Sequence, residues 1–91
     1  MARPTKAPSD HVHNRIAVLR AERRISRQDL ADAVGVHYQT IGYLEREEYS
    51  PTLALALRIA EYFTLPVEAI FSTQPFAPMS TVLYKTPGEH A

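Results

Sequence analysis

The stretch that decides the fold is Ser26-Arg-Gln-Asp-Leu-Ala-Asp-Ala-Val-Gly-Val-His-Tyr-Gln-Thr-Ile-Gly-Tyr-Leu-Glu45. Ser26 suits a helix N-cap. Asp29, three residues on, approximates a capping box, in which hydroxyl and carboxylate each take one otherwise orphaned amide. Leu30, Ala31 and Val34 then share one face of a helix over Arg27–Val34. Gly35 follows as a residue free to take positive φ. Val36 and His37 form a short link to a second helix, Tyr38 to about Glu45, with Ile41 and Leu44 facing inward. Two short helices joined at a glycine, small at Ala31 and Gly35 where they touch and branched where they bury, make a helix-turn-helix candidate. In such a motif the first helix crosses the DNA backbone and the second enters a major groove about 12 Å wide.

Working outward, an earlier helix runs from near Asn14 to about Arg24, with Ile16 and Leu19 on one face. Beyond Glu45, residues 46–50 form a polar loop. Ser50-Pro51 then reads as a helix start, with the cap at Ser50 and proline at the first helical position, where no backbone donor is missed. Leu53–Leu57 alternates like a strand, but continuation to Phe63 and the alanine content favour a helix. Leu53, Ala56, Ala60 and Phe63 suit one core stripe, and Leu55, Ile59 and Tyr62 a second that seeks another neighbour. Leu65-Pro66 breaks this helix, and Pro66–Ile70 reads as a last short one. The expected core is Ile16, Leu19, Leu30, Ala31, Val34, Ile41, Leu44, Ala56, Ile59, Ala60, Phe63 and Ile70.

The 91 residues are one domain's worth of chain. Residues 1–10, with Pro4 and Pro8, read as a flexible arm, residues 11–74 as the domain, and residues 75–91 as a Pro-rich tail. Prolines 75, 78 and 87 exclude a long helix there, and Met79–Lys85 fits a strand, a helical turn or extended chain equally. No apolar run approaches the roughly 18 residues of a membrane span, and the first ten residues lack a signal-peptide core. A cytoplasmic location with no membrane partner is expected. The absence of cysteine excludes a disulfide framework, a Cys-ligated zinc and a Cys nucleophile. Net charge is zero, yet residues 1–30 carry seven Lys/Arg against three acids and residues 31–91 three against seven. A chain so divided can present a basic face to a polyanion that its bulk charge conceals.

The quoted stretch, with Tyr49-Ser50-Pro51 and Leu55-Ala-Leu-Arg-Ile-Ala60, resembles the Cro/CI-type (Xre-family) DNA-binding domain. The likeness spans Asn14 to Phe71 and extends to the small stand-alone dimeric regulators of the cytolysin-repressor type. It implies an all-α, five-helix, lambda repressor-like fold with Tyr38–Glu45 as the recognition helix. It also implies short strands at a dimer interface, for which His11–His13 and Phe71–Gln74 are the matching segments. The function implied is that of a DNA-binding transcriptional regulator, a repressor, acting as a homodimer on a two-fold double-stranded operator. An antitoxin or protein-interaction adaptor is the alternative this fold also serves. Several positions depart from the family pattern: Arg27 stands for a usual glutamine, Glu47 and Glu48 occupy a loop that commonly carries Gly and Lys, Gly42 replaces a serine, and Thr64 replaces a C-cap glycine.

By this resemblance Tyr38, Gln39 and Tyr43 meet base edges, with Gln39 able to pair bidentately with adenine. Arg27, Gln28, Thr40 and Arg46 are expected on phosphates. Arg20 and Glu45 match a partly buried structural ion pair of the related phage repressors. Arg23 and Arg24 read as a solvated face, and His37 as a helix-terminal link rather than a base. His11-x-His13 suggests metal binding, but no Cys or carboxylate nearby in the sequence completes a set. There is no phosphate-cradling Gly loop, nucleophile elbow or apolar carboxylate pair. No enzyme activity, cofactor or metal is therefore expected, and no inducer is indicated.

Overall fold

A computed structural model describes residues 11–77. The proposed arm, most of the proposed tail and the Met79–Lys85 segment lie outside these residues. In chain order the elements are β1 (His13–Asn14), α1 (Ile16–Arg23), α2 (Arg27–Val34), α3 (Tyr38–Glu45), α4 (Leu53–Phe63), a 3-10 turn (Val67–Ala69) and β2 (Phe71–Ser72). The architecture is mostly helical, with four α-helices among the described residues rather than five. Where the fifth was expected, Ala69 N–H donates to Pro66 O at 2.9 Å and Ile70 N–H to Val67 O at 3.0 Å. These tighter bonds end after one turn because Ile70 O must accept from Arg15 N–H at 3.0 Å and the chain must enter β2.

The two strands pair antiparallel within the chain, His13 opposite Ser72 and Asn14 opposite Phe71. They are shorter than the segments suggested by the family likeness. Asn14, expected to open the first helix, belongs instead to β1, and α1 starts at Ile16. Its side chain does two jobs: Oδ1 accepts from Ile16 N–H at 3.0 Å, and Nδ2 donates to Leu44 O at 2.7 Å. A single amide thus ties the start of α1 to the end of α3.

The α2 cap forms as the local sequence predicts. Ser26 Oγ accepts from Asp29 N–H at 2.9 Å, and Asp29 Oδ2 accepts from Ser26 N–H at 3.3 Å. Gly35 closes the helix at φ 77°. The α4 cap differs from the Ser50-Pro51 expectation. Thr52 is the N-cap, its Oγ1 accepting from Leu55 N–H at 3.1 Å, and Pro51 stays in the preceding turn. This places Leu53 at the first helical position, 73% exposed, and removes it from the expected core stripe.

All twelve expected core residues are buried, together with Leu55. Leu55 and Ile59 join Ala60 and Phe63 in one intramolecular core, against which Tyr62 packs. The second stripe of α4 therefore finds its neighbour inside the chain, contrary to the expectation that it needs one from outside. The reason is the wrap of the chain: Ile16 and Leu19 of α1, Ile41 and Leu44 of α3, and Ile70 beyond α4 belong to the same core. Arg58 adds a polar tie, donating from Nε to Val34 O at 3.0 Å at the otherwise open end of α2. No helix among the described residues is long and apolar enough to cross a membrane.

Candidate nucleic-acid interface

Helix α3 is held from one side and free on the other. His37 caps it, its Nδ1 accepting from Gln39 N–H at 3.2 Å and its ring stacked on Tyr38. Ile41 and Leu44 are fully buried, whereas Tyr38 and Tyr43 are nearly half exposed and Gln39 is exposed. At 100° per residue, Tyr38, Gly42, Arg46, Gln39 and Tyr43 fall in that angular order within about 140° of the helix surface. These five, with Arg27 from α2, line a shallow depression of about 200 Å³. Arg27, Tyr38, Gln39, Tyr43 and Arg46 are thus brought together on one outward surface.

Gly42 sits in the floor of this depression. A Cβ there would lie 3.3 Å from Arg46 Nη1, so the missing side chain is what lets the Arg46 guanidinium lie along the helix. Arg46 also reaches Glu48 at 3.1 Å and lies 5.3 Å from the centre of the Tyr43 ring. Two other residues expected on phosphate lie apart from the depression. Gln28 Nε2 donates to Asp32 Oδ1 at 2.8 Å along α2. Thr40, half-buried, borders a separate hollow with Tyr43, Glu48 and Tyr49.

Behind the outward surface lies an ion triad. Glu45 Oε2 accepts from Arg20 Nε at 2.5 Å, and Oε1 from Arg20 Nη2 at 3.2 Å and Arg27 Nε at 2.9 Å. The Glu45 side chain is 3% exposed, against 18% for Arg20 and 45% for Arg27. Burial works to raise the Glu45 carboxyl, but the hydrogen bonds and charges of Arg20 and Arg27 outweigh it and hold the group below its ordinary range. Arg20 also donates from Nη1 to Ile25 O at 2.9 Å, locking the α1–α2 corner. Arg27, expected on phosphate, directs its Nε to Glu45, while its side chain stays 45% exposed.

The loop acids Glu47 and Glu48 are both engaged within the chain. Glu48 pairs with Arg46, and Glu47 turns toward the chain around β1. Its Oε1 lies 2.8 Å from His11 Nε2 and 3.2 Å from His13 Nδ1, while Oε2 accepts weakly from Asn14 N–H at 3.4 Å. The carboxylate missing beside His11-x-His13 in the sequence therefore arrives from 36 residues away. No local periodicity could have indicated it. The one hint was the run of two acids in a loop where the family pattern carries Gly and Lys.

The helix-turn-helix family model matches residues 16–70. An uncharacterized HTH-type transcriptional regulator of Methanocaldococcus jannaschii is 40% identical over 58 residues, covering 64% of this chain and 88% of that protein. The uncharacterized HTH-type transcriptional regulator YgzD of Bacillus subtilis is 38% identical over 58 residues, with the same shares, 64% and 88%. Among solved structures, a Bacteroides fragilis protein provisionally assigned to DNA binding superposes with a TM-score of 0.61 at 24% identity, covering 67% of this chain and 98% of that one. That likeness bears on the fold alone. Four helices with the α2–α3 pair at their centre, the family match over most of the described residues and relatives at this identity agree: the chain belongs to the Xre, or Cro/CI-type, helix-turn-helix family of transcriptional regulators.

Proposed function

We propose that this chain is a sequence-specific double-stranded DNA-binding repressor that acts in the cytoplasm as a homodimer on a two-fold operator. The observation that carries the reading is the gathering of Tyr38, Gln39, Tyr43, Arg27 and Arg46 on the outward side of α3, while its inward side is sealed into the core. Amide and phenol groups on such a surface can meet base edges, and guanidinium groups on it can meet phosphates. In this reading Tyr38, Gln39 and Tyr43 read bases, and Arg27, Gln28, Thr40 and Arg46 anchor the backbone. Gln28 exchanges Asp32 for a phosphate, and Arg27 offers the edge of its guanidinium that Glu45 does not occupy.

Exposed Leu53 and Leu57, one turn apart on α4 at 73% and 50%, support association of two copies, since they form an apolar stripe outside the core. Two recognition helices related by a two-fold axis meet successive major grooves about 34 Å apart, so half-sites repeat near every 10 bp.

Selection of bound sites from random duplexes tests the proposal. A palindrome with that spacing is expected to emerge. Gln39→Ala should relax preference at one or two positions by about 1–3 kcal/mol. Arg27→Ala should instead weaken all sequences alike and flatten the logarithmic salt slope by about one unit for each phosphate left without its cation. No enrichment at low salt would sink the proposal.

A further inference from the structure

Outside the α3 surface, His11, His13 and Glu47 form a cluster with the donor types of a metal site. One ligating atom of each lies within 4.8 Å of the others. Both imidazoles direct a nitrogen at the same carboxylate oxygen, Oε1, rather than sharing the two oxygens between them. The rings stand edge to face with centroids 4.6 Å apart.

We propose that His11, His13 and Glu47 form a binding site for a divalent transition-metal ion of the zinc, cobalt or nickel class. Donors bound at about 2.05 Å lie about 3.3 Å apart along a tetrahedral edge and about 2.9 Å along an octahedral one. The two nitrogen–oxygen separations, 2.8 and 3.2 Å, already fall near these values. The two imidazole nitrogens lie within 4.8 Å of each other and approach further when both bind one ion. The chemistry of the set selects the ion. Two imidazoles and one carboxylate suit zinc and its neighbours; calcium and magnesium demand more oxygens, and copper(I) and iron–sulfur clusters favour sulfur donors. Three protein donors leave at least one position for water.

The scaffold beneath the ligands is fixed before any ion arrives. His13 is held in the strand ladder opposite Ser72. Glu47 N–H donates to Leu44 O at 2.9 Å, the same carbonyl that accepts from Asn14 Nδ2 at 2.7 Å. Glu47 also holds a left-handed backbone conformation, φ 61°, as Arg24 and Thr64 do where α1 and α4 end. An ion here staples β1 to the turn that ends α3. The site does not depend on the chain binding DNA.

The test uses the full chain, stripped of metal by chelation and titrated with cobalt(II) and with zinc. Cobalt is expected to develop saturable visible d–d absorption at one ion per chain, and zinc to displace it and raise the thermal midpoint. His11→Ala, His13→Ala and Glu47→Gln should each weaken binding by at least the roughly tenfold that loss of an outer-sphere partner costs at other metal sites. His37→Ala should leave it unchanged. In the unaltered chain, zinc should shift the imidazole resonances of His11 and His13, a readout that does not require any variant to fold. Absence of saturable binding would overturn the proposal, as would binding that persists undiminished in all three ligand variants or zinc shifts confined to other histidines.

Discussion

Replacing Glu45 by alanine is expected to cost about 2–3 kcal/mol of folding free energy, most of it at Arg20. Truncating one partner of a fully buried ion pair costs about 3–5 kcal/mol, whereas an exposed pair contributes about 0–1 kcal/mol. With Glu45 at 3% exposure and Arg20 at 18%, their pair lies near the first limit. Partial hydration and the surviving bond from Arg20 Nη1 to Ile25 O reduce the loss. Arg27, at 45%, belongs to the second limit, so Arg27→Ala should cost about 0.5 kcal/mol or less. A double-mutant cycle between positions 20 and 45 should give a coupling of about 1.5–2 kcal/mol by urea denaturation at neutral pH. The acid limb supplies an independent measurement. The folded carboxyl of Glu45 is held below its ordinary value of 4.5. Its contribution is therefore complete above that unfolded value and is lost as pH falls through the folded one. Glu45→Gln, with nothing to titrate, should show a shallower loss below about pH 4.5 than the natural chain. Equal costs for Arg20→Ala and Arg27→Ala, or parallel acid limbs for the natural chain and Glu45→Gln, would refute this account of the triad.

Leu30 is fully buried at the α2 face, so Leu30→Ala should destabilise the domain by about 2–5 kcal/mol; an unchanged melt would contradict that packing. Thr64 caps α4 with φ 58°, a left-handed conformation that costs a β-branched residue about 1–2 kcal/mol, so Thr64→Gly should raise the thermal midpoint despite the added freedom of the unfolded chain. Gly42→Ala gains about 1 kcal/mol of helix propensity against a close approach to the flexible tip of Arg46, and calorimetry should show a net increase in stability. A decrease would mean that the Arg46 guanidinium cannot move aside.

The core was legible because each buried residue announces itself locally. Leu30, Ala31 and Val34 recur at helical spacing, and Ser26, Asp29 and Gly35 mark where that helix starts and stops. Leu55 is harder to place, since the apolar alternation Leu53-Ala54-Leu55 leaves two possible faces, and only the packing of α2 and the 3-10 turn against α4 decides between them. The start of α4 is ambiguous for a related reason. Ser50 and Thr52 both carry a capping hydroxyl, and proline is as acceptable before a cap as after one. In the candidate interface, the outward row of α3 follows from the helix period alone, whereas the commitment of Arg27 to Glu45 does not. That bond and the His11–His13–Glu47 cluster join residues 18 and 36 apart in the chain, and pairings at such separations leave no mark on the sequence between them.

The pairing of His13 with Ser72 gives the domain the topology of a nearly closed ring. Chain enters beside the point where it leaves, across a single strand spacing of about 5 Å. Whatever is attached before β1 and whatever is attached after β2 are therefore tethered at one place, and each raises the local concentration of the other there. A backbone joined head to tail across this gap would need only a short bridge and would displace no helix. It would remove freedom from the unfolded chain while leaving the folded one as it is. The order of the helices along the chain is thus a smaller constraint on this architecture than their arrangement in space, and a permuted sequence opened at an exposed turn has the same core available to it.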